Sequence, residues 1–233
     1  MPITTDMLKY ISIVVLILTL MCCAGMSVEP KSAAVGTGAI WSPDPKIIDK
    51  MREECWNVNP FLLIPQKAAQ CCIDIMKGVG APPEAVAFSS AMLKNRTDTF
   101  CYMSSFRKIS IVDMANIVCP FKDDSTSDMV LLNGQPAIVW INDLNNLNKI
   151  DLFSEPEYGK MLRRHNEALL WPFTSGLTGV KKLPGGGERY MFNFRLLNGC
   201  EGCPLSGTMT VAYDFSADGH FMGVTLIELV TAE

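Results

Sequence analysis

The chain has 233 residues, enough for one domain of ordinary size or two small ones. Hydrophobic residues make up 48% and charged residues 19%, a globular composition that implies no disordered tail. The net charge is −4, so no basic excess exists to neutralise phosphates, and nucleic-acid binding drops out as a leading role.

The N-terminus reads as an export signal. Residues 10–21, YISIVVLILTLM, are apolar without a break, with Lys9 before them and Cys22-Cys23-Ala24-Gly25 behind. A basic residue, a short apolar core and a small-residue site are the parts of a secretory signal peptide. Residues 1–24 admit three forms: a signal cut after Ala24, a bacterial lipoprotein signal with a lipidated cysteine, or an uncleaved anchor. The apolar run from Tyr10 to Met26 is at the short limit for an anchor, since a bilayer takes roughly 17 to 25 residues. All three forms place the protein outside the cytoplasm, in a periplasm or cell envelope, touching membrane only through this segment. Residues 25–43, rich in Ser, Gly, Ala and Pro, read as a linker.

Helical spacing fills residues 44–98. Ile47, Ile48, Met51 and Cys55 recur at i, i+3/i+4 until Asn59-Pro60. A second helix starts at Pro65, with Ala68, Ala69, Cys72, Ile75 and Met76 inward, and ends at Gly78. A third starts at Pro82-Pro83, with Val86, Ala87, Ser90 and Leu93 on its inner side. Residues 99–233 are expected to form the sheet part, the two parts making one composite α+β domain over 44–233.

Strands are expected at 99–107, 109–119, Met129–Leu132 and Ala137–Ile141, the last two joined by an Asn133-Gly134 hairpin turn. Pro136 suggests that the later strand sits at an edge or begins there. Residues 143–152 read as loop, followed by a helix over 155–169 with Ser154 as N-cap, Glu157 as its capping-box partner, and Trp171-Pro172 as its end. Its Lys160, Arg163 and Arg164 read as a solvated face, and His165 as a partly exposed helical residue. A three-strand meander closes the chain. Tyr190, Phe192, Phe194 and Leu196 share one face of the first strand. Met209, Val211, Tyr213 and Phe215 share one face of the second. The third, 220–230, is apolar on both faces and reads as covered or central. Gly219 provides the turn before it.

Nine cysteines are many for this length. Removing Cys22 and Cys23 leaves an odd set of seven, which in an exported protein points to disulfides with one thiol left over. Cys55 is a candidate partner of Cys71 or Cys72, and Cys101 and Cys119 read as small buried apolar residues. Cys200-Glu201-Gly202-Cys203 lies between two strands rather than before a helix. It lacks the helix N-terminus that lowers a thiol pKa in redox enzymes, and a second cysteine pair for zinc. It reads as a disulfide-closed hairpin loop. Pro184-Gly185-Gly186-Gly187 precedes a strand, so it reads as a turn rather than a phosphate loop. Asn95-Arg96-Thr97 matches the N-glycosylation pattern. His165 and His220 are the only histidines, and no catalytic set, metal site or cofactor site is read around them.

The order of strand 190–197, cysteine-bracketed loop, strand 209–215, turn and strand 221–229 resembles the inhibitor-of-vertebrate-lysozyme family. The resemblance implies a periplasmic α+β protein whose disulfide-closed loop protrudes from a sheet to engage another protein. Here two residues separate the cysteines where the family has four, no loop histidine is present, and Glu201 is the ring's only ionisable group. The leading expectation is a non-enzymatic exported protein that binds another protein through Cys200, Glu201, Gly202 and Cys203. An envelope thiol–disulfide oxidoreductase using Cys200 and Cys203, and a structural lipoprotein, are the alternatives.

Overall fold

The computed structural model describes residues 34–56, 65–95, 99–122, 127–165, 167–200 and 202–232. The signal segment 1–24, most of the linker, Asn59-Pro60, Arg96-Thr97 of the glycosylation pattern, and Glu201 lie outside the described residues.

Three helices form the first layer. Helix α1, Pro45–Met51, opens where the Asp44 carboxylate accepts from the Lys46 N–H at 2.9 Å and Pro45 takes a first-turn position. It runs on as a wider turn through Arg52–Trp56. Helix α2, Pro65–Gly78, buries Ala68, Ala69, Cys72, Ile73 and Met76. Helix α3, Pro83–Asn95, is rotated one position from the expected face: Ala85, Phe88, Ser89 and Met92 are buried, whereas Ala87 is exposed. The reason is that α3 serves two neighbours. Ala85 packs into the cluster around α2, while Phe88 and Met92 fill the space over the first sheet.

That sheet is an antiparallel run of β1 Tyr102–Arg107, β2 Asp113–Val118, β3 Ser127–Leu132 and β4 Ile138–Trp140, in that order. Strand β4 is at an edge, as Pro136 suggests. Ala115, Ile117, Val130 and Leu132 face α3, whereas Leu131 and Val139 point the other way, toward a second sheet. A strand packed on both faces has little room for polar alternation.

The expected linker gives way at Val35. A 3-10 turn at Thr37–Ala39 buries Ala39, Trp41 is buried, and the Trp41 N–H donates to the Met103 carbonyl at 2.9 Å. Between the sheets, residues 143–152 contain a short helix, α4 Leu144–Leu147, capped by Asp143. The next helix, α5, is only Pro156–Arg164. Ser154 is not its cap. It ends a separate turn, Leu152–Ser154, where the Asp151 side chain accepts from it, and Glu155 occupies the cap position of α5 without a side-chain bond.

Beyond α5 the expectation of a longer helix fails most clearly. Leu169 starts a strand, β5 Leu169–Lys182, which pairs with β6 Glu188–Leu197, then β7 Leu205–Phe215, then β8 Phe221–Thr231. Pro172 and the register shifts between Trp171 and Gly176 and between Leu177 and Gly179 hide this strand's alternation. The second sheet is therefore four-stranded, and β8 is an edge, not a central strand. Its apolar residues on both faces come from two bulges. Against β7, Phe221, Val224, Leu226 and Leu229 pack inward, while the extra residues Met222 and Ile227 are pushed out and exposed.

The four aromatic and aliphatic positions of β6 and of β7 read from alternation are all buried. Phe192 meets Tyr213 edge to face at 5.5 Å, and Tyr190 meets Phe215 at 5.7 Å. Each such side chain contributes roughly 1.5 to 3 kcal/mol through burial. The fold is thus α+β in three layers: helices, first sheet, second sheet.

Polar bonds fix how the sheets meet. Buried Glu188 accepts from the Ile111 N–H at 3.1 Å, the Tyr190 hydroxyl at 2.5 Å and the Lys182 ammonium at 2.6 Å. Burial alone would raise its pKa; these donors override that and hold it near 2, against an ordinary 4.5. The Tyr190 hydroxyl accepts from the Val112 N–H at 3.1 Å, and the Tyr213 hydroxyl donates to the Ile141 carbonyl at 2.5 Å.

Among the described residues three disulfides are formed, which is compatible with an oxidising compartment. Cys55 bonds Cys71, and Cys72 stays a buried thiol whose pKa burial pushes up to about 12. Cys101 and Cys119 are bonded to each other, not the unpaired apolar residues expected. They flank the Tyr102–Val118 pair, so the register of β1 and β2 brings them together.

Candidate functional site: the disulfide-closed tip of the second sheet

Strands β6 and β7 run antiparallel until Leu197 faces Leu205, and the seven residues between them turn the chain. The stem of this turn is held from three directions. Across it, the Asn198 N–H donates to the Pro204 carbonyl at 3.0 Å. From the side, the Glu167 N–H donates to Asn198 Oδ1 at 3.1 Å, and the Ser206 hydroxyl donates to the Glu167 carbonyl at 3.1 Å. Glu167 therefore clamps both legs through its backbone. Below, the Ala232 N–H donates to the Ser206 carbonyl at 2.9 Å.

Above the stem, Cys200 and Cys203 close a ring with their Cα atoms 5.0 Å apart, and the Cys203 N–H donates to the Cys200 carbonyl at 3.0 Å. Gly199 has φ +94°, which only glycine adopts without strain. Cys200, Gly202 and Pro204 are exposed. The strand row at the foot of the turn is Leu169, Leu197 and Leu205; the middle one is buried and the outer two are 47% and 36% exposed. The tip is thus a small covalently closed ring standing on a hydrogen-bonded stem with an exposed leucine on either side. Such a surface loses little conformational entropy when it meets a partner.

The structure brings together Cys200, Gly202 and Cys203, while Cys55, Cys71 and Cys72 lie far off in the helical layer. Sequence reasoning missed Glu167, Leu169 and Leu205 around the ring. Glu167 carries no local signal because it acts through its backbone on residues 31 and 39 positions away.

Other clusters have different explanations. Ser216, Asp218 and His220 meet in the β7–β8 turn, where the serine hydroxyl donates to Asp218 at 2.5 Å and His220 Nε2 lies 3.2 Å from the same carboxylate. The serine bonds the acid rather than the imidazole, and its oxygen accepts the His220 N–H at 3.0 Å, so the set closes a turn and activates no nucleophile. Asp113 and Asp128 are likewise engaged: Asp113 accepts from Ile109 N–H and Asn133, and Asp128 accepts from Lys122 and Asn142. Among the described residues no three His, Cys, Asp or Glu side chains converge as a metal site. Among them, too, no helix is long and apolar enough to cross a membrane. A groove of about 450 Å³ opens between residues 147–153, Tyr158 and Leu170, with Phe153 83% exposed at its rim.

No family model matches the sequence, and no curated protein or solved structure matches it either.

Proposed function

We propose that this is an exported bacterial cell-envelope protein of non-enzymatic type that binds another protein through the Cys200–Cys203 tip. One observation carries the reading: the loop is covalently closed, Cys200 and Gly202 are exposed, and Glu167 clamps both legs of the stem below them. Three disulfides and the signal-like segment 10–21 agree with export. The strand–loop–strand order it shares with lysozyme inhibitors makes a vertebrate lysozyme the first purified protein to offer it. The direct test places a photo-crosslinking amino acid at Leu205 and irradiates intact envelopes. A defined adduct is expected from the native chain and its loss from C200S/C203S, with the sheet's circular dichroism unchanged. An equal adduct yield from the open loop would remove the ring from the account.

A thiol–disulfide oxidoreductase is the second reading, and exposed Cys200 favours it. The residues after Cys203 enter β7, so no helix N-terminus is present to stabilise a thiolate. Turnover of a disulfide substrate, abolished by C200S, is its signature.

A further inference from the structure

The tetrapeptide Leu-Leu-Asn-Gly occurs twice, at 131–134 and at 196–199. An Asn-Gly bond is the least hindered substrate for intramolecular deamidation, because glycine has no Cβ to obstruct attack of its nitrogen on the asparagine side chain. Identical local sequences should react alike in an unfolded chain, so any difference in the native protein is imposed by the fold.

The fold treats the two asparagines differently. Asn133 is tied at both ends of its amide. Its Oδ1 accepts from the Val35 N–H at 2.8 Å, and its Nδ2 donates to the Val35 carbonyl at 2.9 Å and to Asp113 at 2.7 Å. The nitrogen that would leave is held by two acceptors. Gly134 is walled in as well: a Cβ there would meet the Gly219 carbonyl at 2.9 Å. Asn198 is held by its carbonyl oxygen, which accepts from the Glu167 N–H at 3.1 Å. That donor points at the atom that becomes an oxyanion when Cγ is attacked, so it stabilises the tetrahedral intermediate. The Gly199 N–H makes only a short-range bond to the Leu197 carbonyl, 2.9 Å away, in the half-buried loop stem.

We propose that Asn198 is a self-modification site of this protein, and that Asn133 is not. The Gly199 nitrogen bonds to Asn198 Cγ, the Cγ–Nδ2 bond breaks, and the glycine's proton departs with the amide nitrogen as ammonia. Water then opens the succinimide at one of its two carbonyls. Opening at Cγ leaves aspartate. Opening at the main-chain carbon leaves isoaspartate, with the backbone rerouted through the side chain. Either product places a carboxylate in the stem near Glu167, whose own carboxylate lies against Gly199. The isoaspartate product also lengthens one leg of the loop. The chemistry needs no partner. Its consequence, an ageing of the contact tip, rests on the binding role proposed above.

The test incubates the intact, oxidised protein in mildly alkaline buffer and maps peptides by mass, with enzymatic isoaspartate methylation as a second readout. The Asn198 peptide should convert at least about tenfold faster than the Asn133 peptide, since the latter must first break its local bonds. In the same chain reduced and unfolded in urea the two rates should converge, and N198Q should remove the native signal. Equal native rates, faster conversion at Asn133, or an inert Asn198 would each overturn the proposal. Crosslinking with N198D separately reads the consequence for binding, so a missing partner cannot be mistaken for missing chemistry.

Discussion

The two ends of the second sheet are built from similar parts and fixed in different ways. At one end, the turn around Asn133 docks onto the β7–β8 turn: the Gln135 N–H donates to the Gly219 carbonyl and the Phe221 N–H donates to the Gln135 carbonyl, both at 2.8 Å. Glu188 and Tyr190 bond residues 111 and 112 close by, so this end is sewn to the first sheet. At the other end, the turn around Asn198 is held by the Glu167 backbone, by its own stem, by Ala232 at the foot and by a disulfide, with no bond to the first sheet among the described residues. Inter-sheet hydrogen bonds make the first end part of the core. The second end obtains its rigidity from a covalent ring, which leaves its outer surface free. A structural turn is fixed by its surroundings, whereas a presenting turn must be fixed from within.

The largest effect should come from the anchored end. Asn133→Ala removes three hydrogen bonds and puts alanine, which tolerates the left-handed region less well than asparagine, at φ 66°, a loss of about 4 kcal/mol in urea unfolding. Among the disulfides, C101S/C119S opens a loop with a sequence separation of 18 and should cost about 3 kcal/mol. C200S/C203S opens one of separation 3 and should cost about 2 kcal/mol, with the loss confined to the tip's amide exchange protection. A separate effect follows pH. The folded pKa of Glu188 lies below its unfolded value, so its stabilisation is full above about 4.5 and is lost as pH falls toward about 2. The E188Q variant should lack that limb of the stability–pH curve. The smallest effect is Asn198→Ala, about 1 kcal/mol for one hydrogen bond. A cost equal to that of Asn133→Ala would erase the distinction between the two ends.

The legible parts of the fold were those where one physical signal acts alone. Tyr190 to Leu196 and Met209 to Phe215 alternate without interruption, and helix α2 lies between Pro65 and Gly78 as its spacing dictates. The illegible parts are places where two signals compete. In β8 the bulges at Met222 and Ile227 each reverse the alternation, which imitates a strand covered on both sides. In β5, Pro172 and two glycines argue against a strand that pairing with β6 nonetheless enforces. Cys101 and Cys119 looked like core residues because each is buried; their bond depends on a register that spacing alone does not supply. The ring cysteines were visible as a pair, but the clamp at Glu167 was not, since backbone groups leave no trace in side-chain chemistry.

The claim that the Cys200–Cys203 bond is a clasp on a presenting surface is tested most directly by its reduction potential, measured in the otherwise native protein. Structural disulfides typically lie below about −300 mV, and a value in that range is the predicted result. A value between roughly −270 and −120 mV, where catalytic pairs fall, would contradict the clasp and make thiol–disulfide exchange the activity of the tip.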